Sequence, residues 1–314
     1  MLIRDYPLPS LARRLGDEGL HVVTGAFTFH LRIELPELVD DFAAMYAHFP
    51  VEDPPGIDDA SLRVASPPLR RHLFPRARIW IDGESPFGTV PARRAYTALE
   101  SCLNYCIAST PLSMLLVHAA VLERDGRCLI MPAASGSGKS TLCAALCARG
   151  WRLFTDETAL FSCHDGLMRA NPRPVSLKNE SIAVIAGFAP EMRLSRVFRG
   201  TPKGDIAYVQ TPPDAAARAA EPAEPGLVVR PVYTAGAATS LRPLERIDAF
   251  GLLTDCAVNY SSLLRAGFDT LTGVVDRCAH YELTYSDLEE AVRLISDLHQ
   301  ETRVGAPARG SSPA

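Results

Sequence analysis

Ala133-Ala134-Ser135-Gly136-Ser137-Gly138-Lys139-Ser140-Thr141 decides the reading of this chain. The stretch follows the pattern GxxxxGK[ST], with Ala133 in place of the first glycine. Gly136 and Gly138 allow a tight turn that aims backbone N–H groups at phosphate oxygens. Lys139 can reach the β and γ phosphates, and the Ser140 hydroxyl can ligate Mg²⁺. Residues 127–131 before the stretch read as a strand. Residues 140–149 after it read as a helix, with Leu142, Cys143, Leu146 and Cys147 on its apolar face and Gly150 as its stop. The amino end of that helix adds its dipole to the anion site. The expectation is ATP with Mg²⁺, held by Ala134, Ser135, Gly136, Ser137, Gly138, Lys139, Ser140 and Thr141.

Outward from the loop, residues 151–155 read as the next strand, and it ends in Asp156-Glu157. One carboxylate there can hold Mg²⁺ and a second can take the proton of an attacking hydroxyl. The competing reading is a solvated turn. On the other side, residues 115–122 read as a strand that carries His118, either a hydrogen-bonded core residue or a site residue. Strand, loop, helix and strand make an α/β unit.

Residues 1–91 read as a β-rich N-terminal region. Phe27, Phe29, Leu31 and Ile33 alternate within residues 22–35, and residues 76–82 lead into a turn at Gly83. A helix is expected over residues 92–108, opening a catalytic domain that extends to residue 303. Within it, residues 211–226 (two Pro pairs around an Ala-rich run) read as a flexible surface insertion. Residues 228–234 read as a strand. Residues 249–264 and 284–302 read as helices, the second capped by Ser286 or Asp287. Residues 304–314 read as a disordered tail.

Composition narrows the function classes. Apolar residues make up 47%, charged residues 22%, and the formal charge is −4. That balance gives no electrostatic reason to expect nucleic acid. No apolar run reaches membrane-spanning length, so no membrane partner and a cytoplasmic location are expected. The eight cysteines show no CxxC or zinc spacing, and the pairs Cys102/Cys106 and Cys143/Cys147, each on one helix face, read as apolar core rather than as a metal or redox site. Of 32 basic residues only Lys139, Lys178 and Lys203 are lysine. A compact ammonium suits a crowded triphosphate better than a rigid guanidinium fork, so Lys178 and Lys203 are expected near the nucleotide phosphates or the acceptor.

Taken in order, His118, the strand over residues 127–131, Ser135-Gly136-Ser137-Gly138-Lys139-Ser140, Arg149-Gly150 and Asp156-Glu157 resemble the catalytic domain of HPr kinase/phosphorylase. The likeness is strongest over residues 118–161 and weaker over residues 172–180 and 259–290. It implies a P-loop domain on a fold akin to ATP-dependent phosphoenolpyruvate carboxykinase, of the kind that phosphorylates a serine on a small carrier protein. The nearest likeness is to HPr kinase-related proteins encoded beside small peptide-binding chaperones. By that resemblance Asp156 and Glu157 are Mg²⁺ ligand and catalytic base in an order left open, and His118 supports the carboxylate. Glu180 loosely matches a glutamate signature and becomes a further metal candidate. The chain departs from the family in carrying Asp-Glu where the family has two Asp, and Thr141 where it has an acid. The expected activity is transfer of the γ-phosphoryl group of ATP to a hydroxyl of a serine-bearing protein or peptide. A slowly hydrolysing nucleotide switch and a small-molecule kinase are the alternatives, and a homo-oligomer stays open.

Overall fold

The alternation in residues 22–35 resolves into two strands, β1 (Leu20–Val23) and β2 (Thr28–Ile33), in a computed structural model. The structure describes residues 1–54, 56–67, 75–109, 113–133 and 136–304. The expected tail from residue 305 onward, together with Ala134 and Ser135 of the loop, lies outside the described residues. A five-stranded sheet runs β1-β2-β3-β4-β5, completed by β3 (Ala60–Ala65), β4 (Arg76–Ile81) and β5 (Val90–Pro91).

Helices absent from the sequence reading flank this sheet: α1 (Leu8–Asp17) and α2 (Pro36–Met45). Both open with proline near the first turn, where its missing N–H costs nothing. Leu38, Val39, Phe42 and Met45 of α2 recur at helical spacing and are buried. Because α2 returns the chain between β2 and β3, those two strands pair in parallel. The helix α3 (Ala95–Ala108) buries Leu99, Leu103 and Ile107 in the same cluster as Phe29, Leu31 and Leu62. This first core therefore draws on residues both sides of position 91.

Next in the chain come β6 (Met114–Val117), β7 (Ala119–Arg124), β8 (Arg127–Pro132), α4 (Lys139–Ala148), β9 (Arg152–Thr155), β10 (Ala159–Ser162) and β11 (Met168–Arg169). The rest is β12 (Val175–Lys178), α5 (Glu180–Phe188), β13 (Phe198–Thr201), β14 (Gly204–Val209), α6 (Pro213–Ala217), β15 (Glu224–Tyr233), β16 (Ser240–Pro243), α7 (Arg246–Asp255), α8 (Tyr260–Arg277), β17 (Ala279–Tyr285) and α9 (Leu288–Val304). A six-stranded sheet has the order β16-β17-β15-β8-β7-β9, and two three-stranded sheets run β11-β10-β6 and β12-β14-β13.

The six-stranded sheet is apolar on both faces, so its strands read as nearly unbroken hydrophobic runs. Ala120, Leu122, Leu129 and Met131 face α4 and α9, whereas Val121, Ile130 and Val228 face α8. Cys102, Cys106, Cys143 and Cys147 are buried in these cores as thiols.

Several sequence expectations change here. The single strand over residues 115–122 breaks at His118: β6 pairs with β10 in one sheet and β7 with β8 and β9 in another. The opposing chain makes the same crossing between the end of β9 and the start of β10. Residues 211–226 contain α6 and the first residues of β15, and Ala215, Ala216 and Ala223 are buried. Their small side chains serve packing. The helix expected over residues 249–264 is interrupted between α7 and α8, because residues 256–259 bond to β6. His118 N donates to Cys256 O at 2.7 Å, and the Asn259 side chain binds Leu116 N and Met114 O. Residues 284–285 complete β17, and α9 starts at Leu288, where Glu290 N donates to the Asp287 carboxylate at 2.8 Å. Among the described residues no helix is long and apolar enough to cross a membrane.

Candidate functional site

Strand direction gathers the site at one sheet edge. β15 runs parallel to β8 and to β17, and two antiparallel steps, β8 to β7 and β7 to β9, restore the direction of β8 in β9. The carboxyl ends of β8, β9, β15 and β17 therefore lie together. Ala119 pairs with Pro132, which brings His118 to the same edge. Crevices at such carboxyl ends are the usual ligand sites of α/β sheets.

The turn from β8 into α4 uses Gly136 at φ +90° and Gly138 at φ +88°, conformations that L side chains resist. Gly138 is also tightly enclosed. A Cβ built there would stand 2.3 Å from the Tyr285 hydroxyl, which donates to Gly138 O at 3.2 Å. Tyr233 N donates to Ser137 O at 3.2 Å, so the ends of β15 and β17 buttress the turn. Among the described residues no side chain caps α4, and its first-turn amides remain available to an anion. The Ser137 hydroxyl is buried with no hydrogen-bond partner among the described residues.

Lys139 is buried at 6% exposure. Its ammonium donates to His118 Nε2 at 3.0 Å, and His118 Nδ1 lies 2.9 Å from Glu157 O and 3.5 Å from Glu157 Oε2. This arrangement assigns the proton to Nδ1 and leaves Nε2 as acceptor. Partial burial and the adjacent Lys139 ammonium hold His118 below the usual imidazole range. A neutral ring is what the pattern needs. Among the described residues Lys139 makes no ion pair within 4.0 Å, so a buried cation is held by a neutral acceptor and stands ready for an anion.

The two carboxylates differ. Asp156 is 5% exposed, and burial followed by the Glu157 charge pushes its carboxyl up to about 7, against the pull of Lys139, Ser140 and Ser176. Ser176 N donates to Asp156 Oδ2 at 3.2 Å, whereas Oδ1 is buried with no hydrogen-bond partner among the described residues. An orphaned oxygen beside the Ser140 hydroxyl fits a hard cation that takes oxygen ligands and keeps several of its own waters. Among the described residues no group of three His, Cys, Asp or Glu could hold a metal, so a cation here would depend on phosphate and water for its remaining ligands. Glu157 is more open, with its side chain 30% exposed.

Glu157 lines a cavity of about 330 Å³ together with Ser176, Lys178, Lys203 and Arg173. The structure thus brings Lys178 and Lys203 to one cavity with a candidate carboxylate, and Lys178 adds to the field that lowers His118. Glu180 opens α5, is exposed, and is not among the residues that line the cavity.

Residues missed in the sequence carry much of this cavity. Glu100 accepts from the Tyr46 hydroxyl at 2.8 Å and pairs with Arg173 Nη1 at 2.9 Å, while Arg173 Nη2 donates to Asn104. Tyr96, Glu100 and Asn104 are spaced four apart on a helix whose other buried positions are apolar. That polar stripe was the available signal. Arg173 lies between two prolines and offered none.

The ScmC family, described as SynChlorMet cassette protein ScmC, matches residues 98–179, about a quarter of the chain. That span holds His118, Lys139, Asp156, Glu157 and Lys178. No curated protein matches the chain. Among solved structures, the Hpr(Ser) kinase/phosphatase from Coxiella burnetii is similar at 14% identity, over 60% of this chain and 96% of that one, with a TM-score of 0.29. A superposition this loose leaves the chemistry to be argued from the residues themselves.

Proposed function

We propose that the protein binds ATP with Mg²⁺ at the β8–α4 turn and transfers the γ-phosphoryl group to a hydroxyl of a protein or peptide, serine being the expected acceptor. The observation that carries this reading is the division of labour at the end of β9: Asp156 is buried beside Ser140 with Oδ1 unpartnered, and Glu157, the next residue, opens onto a cavity.

The order left open in the sequence is then Asp156 with Ser140 for the metal and Glu157 for the base. Mg²⁺ held there would neutralise charge on the β and γ phosphates. The acceptor hydroxyl oxygen bonds to the γ phosphorus, the bridging P–O bond breaks with its electron pair leaving on ADP, and Glu157 takes the hydroxyl proton. Backbone amides of the turn and the Lys139 ammonium stabilise the charge that builds on the transferred group. His118 positions both partners, since it accepts from Lys139 and bonds Glu157 O.

The test is equilibrium titration with a fluorescent ATP analogue in the presence of Mg²⁺. Lys139→Ala should weaken binding by about two orders of magnitude, within the range for losing one charge-stabilising donor. Equal affinity in a folded Lys139→Ala protein overturns the reading. γ-labelled ATP incubated with the products of neighbouring genes then separates transfer from slow hydrolysis.

A further inference from the structure

Four cations and two carboxylates line the 330 Å³ cavity: Arg94, Arg173, Lys178 and Lys203 against Glu100 and Glu157. The chain as a whole is negative at −4, so the excess of positive charge is local. Arg173 alone has its charge matched, by Glu100, in a pair whose side chains are each 7% exposed. Even there, Arg173 Nε is buried without a hydrogen-bond partner among the described residues, and the same is true of Arg94 Nε. Lys178 is partly buried and Lys203 is exposed, and neither ammonium forms an ion pair with the described residues. The two buried Nε donors are costly to leave without an acceptor, and the gathered like charges add repulsion. An anion that accepts from these groups relieves both.

The lining favours an anion other than the triphosphate at the turn. No described residue of the β8–α4 turn lines the cavity, whereas Glu157, the proposed base, does. The apolar part of the lining comes from the N-terminal sheet and the β4–β5 connection: Ile79, Phe87 and Val90. Phe87 keeps 46% of its surface exposed. The volume lies at the lower end of the range of about 300–1,000 Å³ for small-ligand sites, which suits a short segment rather than a folded surface.

We infer that this cavity seats the phosphoryl acceptor, and that the acceptor is a peptide segment with a carboxylate and an apolar side chain flanking its hydroxyl. The inference rests on the proposed function for the role of Glu157. Lys203, in the turn between β13 and β14, and Lys178, at the end of β12, bind the acceptor's carboxylate. The wall formed by Ile79, Phe87 and Val90 takes the apolar side chain. The N-terminal unit thereby becomes half of the acceptor site.

The experiment titrates the full chain calorimetrically with N-acetyl-Leu-Asp-Ser-Asp-Leu amide and with its lysine counterpart, N-acetyl-Leu-Lys-Ser-Lys-Leu amide. The Mg²⁺–ATP analogue is titrated separately. The acidic peptide should bind at least about tenfold more tightly than the basic one, as charge-assisted contacts predict. Lys203→Gln and Lys178→Gln should each weaken the acidic peptide by about fivefold or more and leave the nucleotide affinity unchanged, and Lys203→Arg should restore the peptide. Equal binding of the two peptides, binding of neither, or a loss that falls on the nucleotide instead overturns the assignment. With Mg²⁺–ATP binding intact, those outcomes remove the acceptor site alone. Absence of Mg²⁺–ATP binding removes the proposed function itself.

Discussion

The β8–α4 turn and the cavity meet at Asp156-Glu157, yet they are built in opposite ways. The turn consists of main chain, two glycines at positive φ and one ammonium, all set by consecutive elements between His118 and Glu157. The cavity consists of side chains brought from the N-terminal sheet, α3, β12 and the β13–β14 turn. A site made of backbone amides binds a constant feature, such as a triphosphate, and tolerates few substitutions. A site made of side chains can change what it selects without disturbing the first. Nucleotide binding and acceptor choice should therefore be separable.

The largest effect is expected on the cavity side. Glu100→Gln strands Arg173 as a buried, uncompensated charge, and breaking such a pair costs about 3–5 kcal/mol. Urea unfolding measures it, and a loss below 1 kcal/mol would mean the pair does not hold the cavity wall. Glu157→Gln tests the boundary between the two regions. It should keep Mg²⁺–ATP affinity and lower transfer by about a hundredfold or more, and retained transfer would return Asp156-Glu157 to a solvated turn.

The pH response should belong to the turn side, through Asp156. Its carboxyl stands at about 7 against an ordinary 3.8. Below pH 7 it carries a proton, so Mg²⁺–ATP affinity should fall by up to about tenfold per pH unit there, a slope that Asp156→Asn abolishes along with most of the affinity. Stability of the nucleotide-free protein has the opposite trend. Between pH 3.8 and 7 the native state binds one more proton than the unfolded chain at this site. This group's contribution therefore declines as pH rises through that window, by up to about 1.4 kcal/mol per unit. Thermal melts of wild type and Asp156→Asn across the window should converge at low pH and separate at high pH, the variant being the more stable.

The smallest effect sharpens the account of the turn. A Cβ at Gly136 meets nothing within 4 Å, so Gly136→Ala should cost only the strain of its φ, about 1–2 kcal/mol. At Gly138 the added atom meets the Tyr285 hydroxyl, and Gly138→Ala should shift the turn and weaken nucleotide binding as well. Equal melting temperatures and affinities for the two variants would mean that Tyr285 is not a buttress.

What was legible follows the same division. The turn, α4, β8, β9, Lys139 and Asp156-Glu157 were readable because glycine placement, apolar periodicity and strand-end carboxylates are local signals. α2 carried a helical repeat in Leu38, Val39, Phe42 and Met45 that a β-rich reading of residues 1–91 passed over. The break at His118 was not readable. Residues 114–122 are apolar apart from His118 itself, and only the partner strands lying in different sheets divide them.

Composition marked Lys178 and Lys203 as exceptions in an Arg-rich chain without saying where they lie. The sequence by itself determined the glycine turn between β8 and α4 and the pair of carboxylates after β9, since those depend on neighbours along the chain. Only the tertiary structure decided that Asp156 is buried while Glu157 opens onto a cavity, and that Arg94, Arg173, Lys178 and Lys203 share that cavity with an apolar wall. Burial and charge pairing depend on which distant segments pack together. No local pattern encodes a pairing such as Glu100 with Arg173, 73 residues apart.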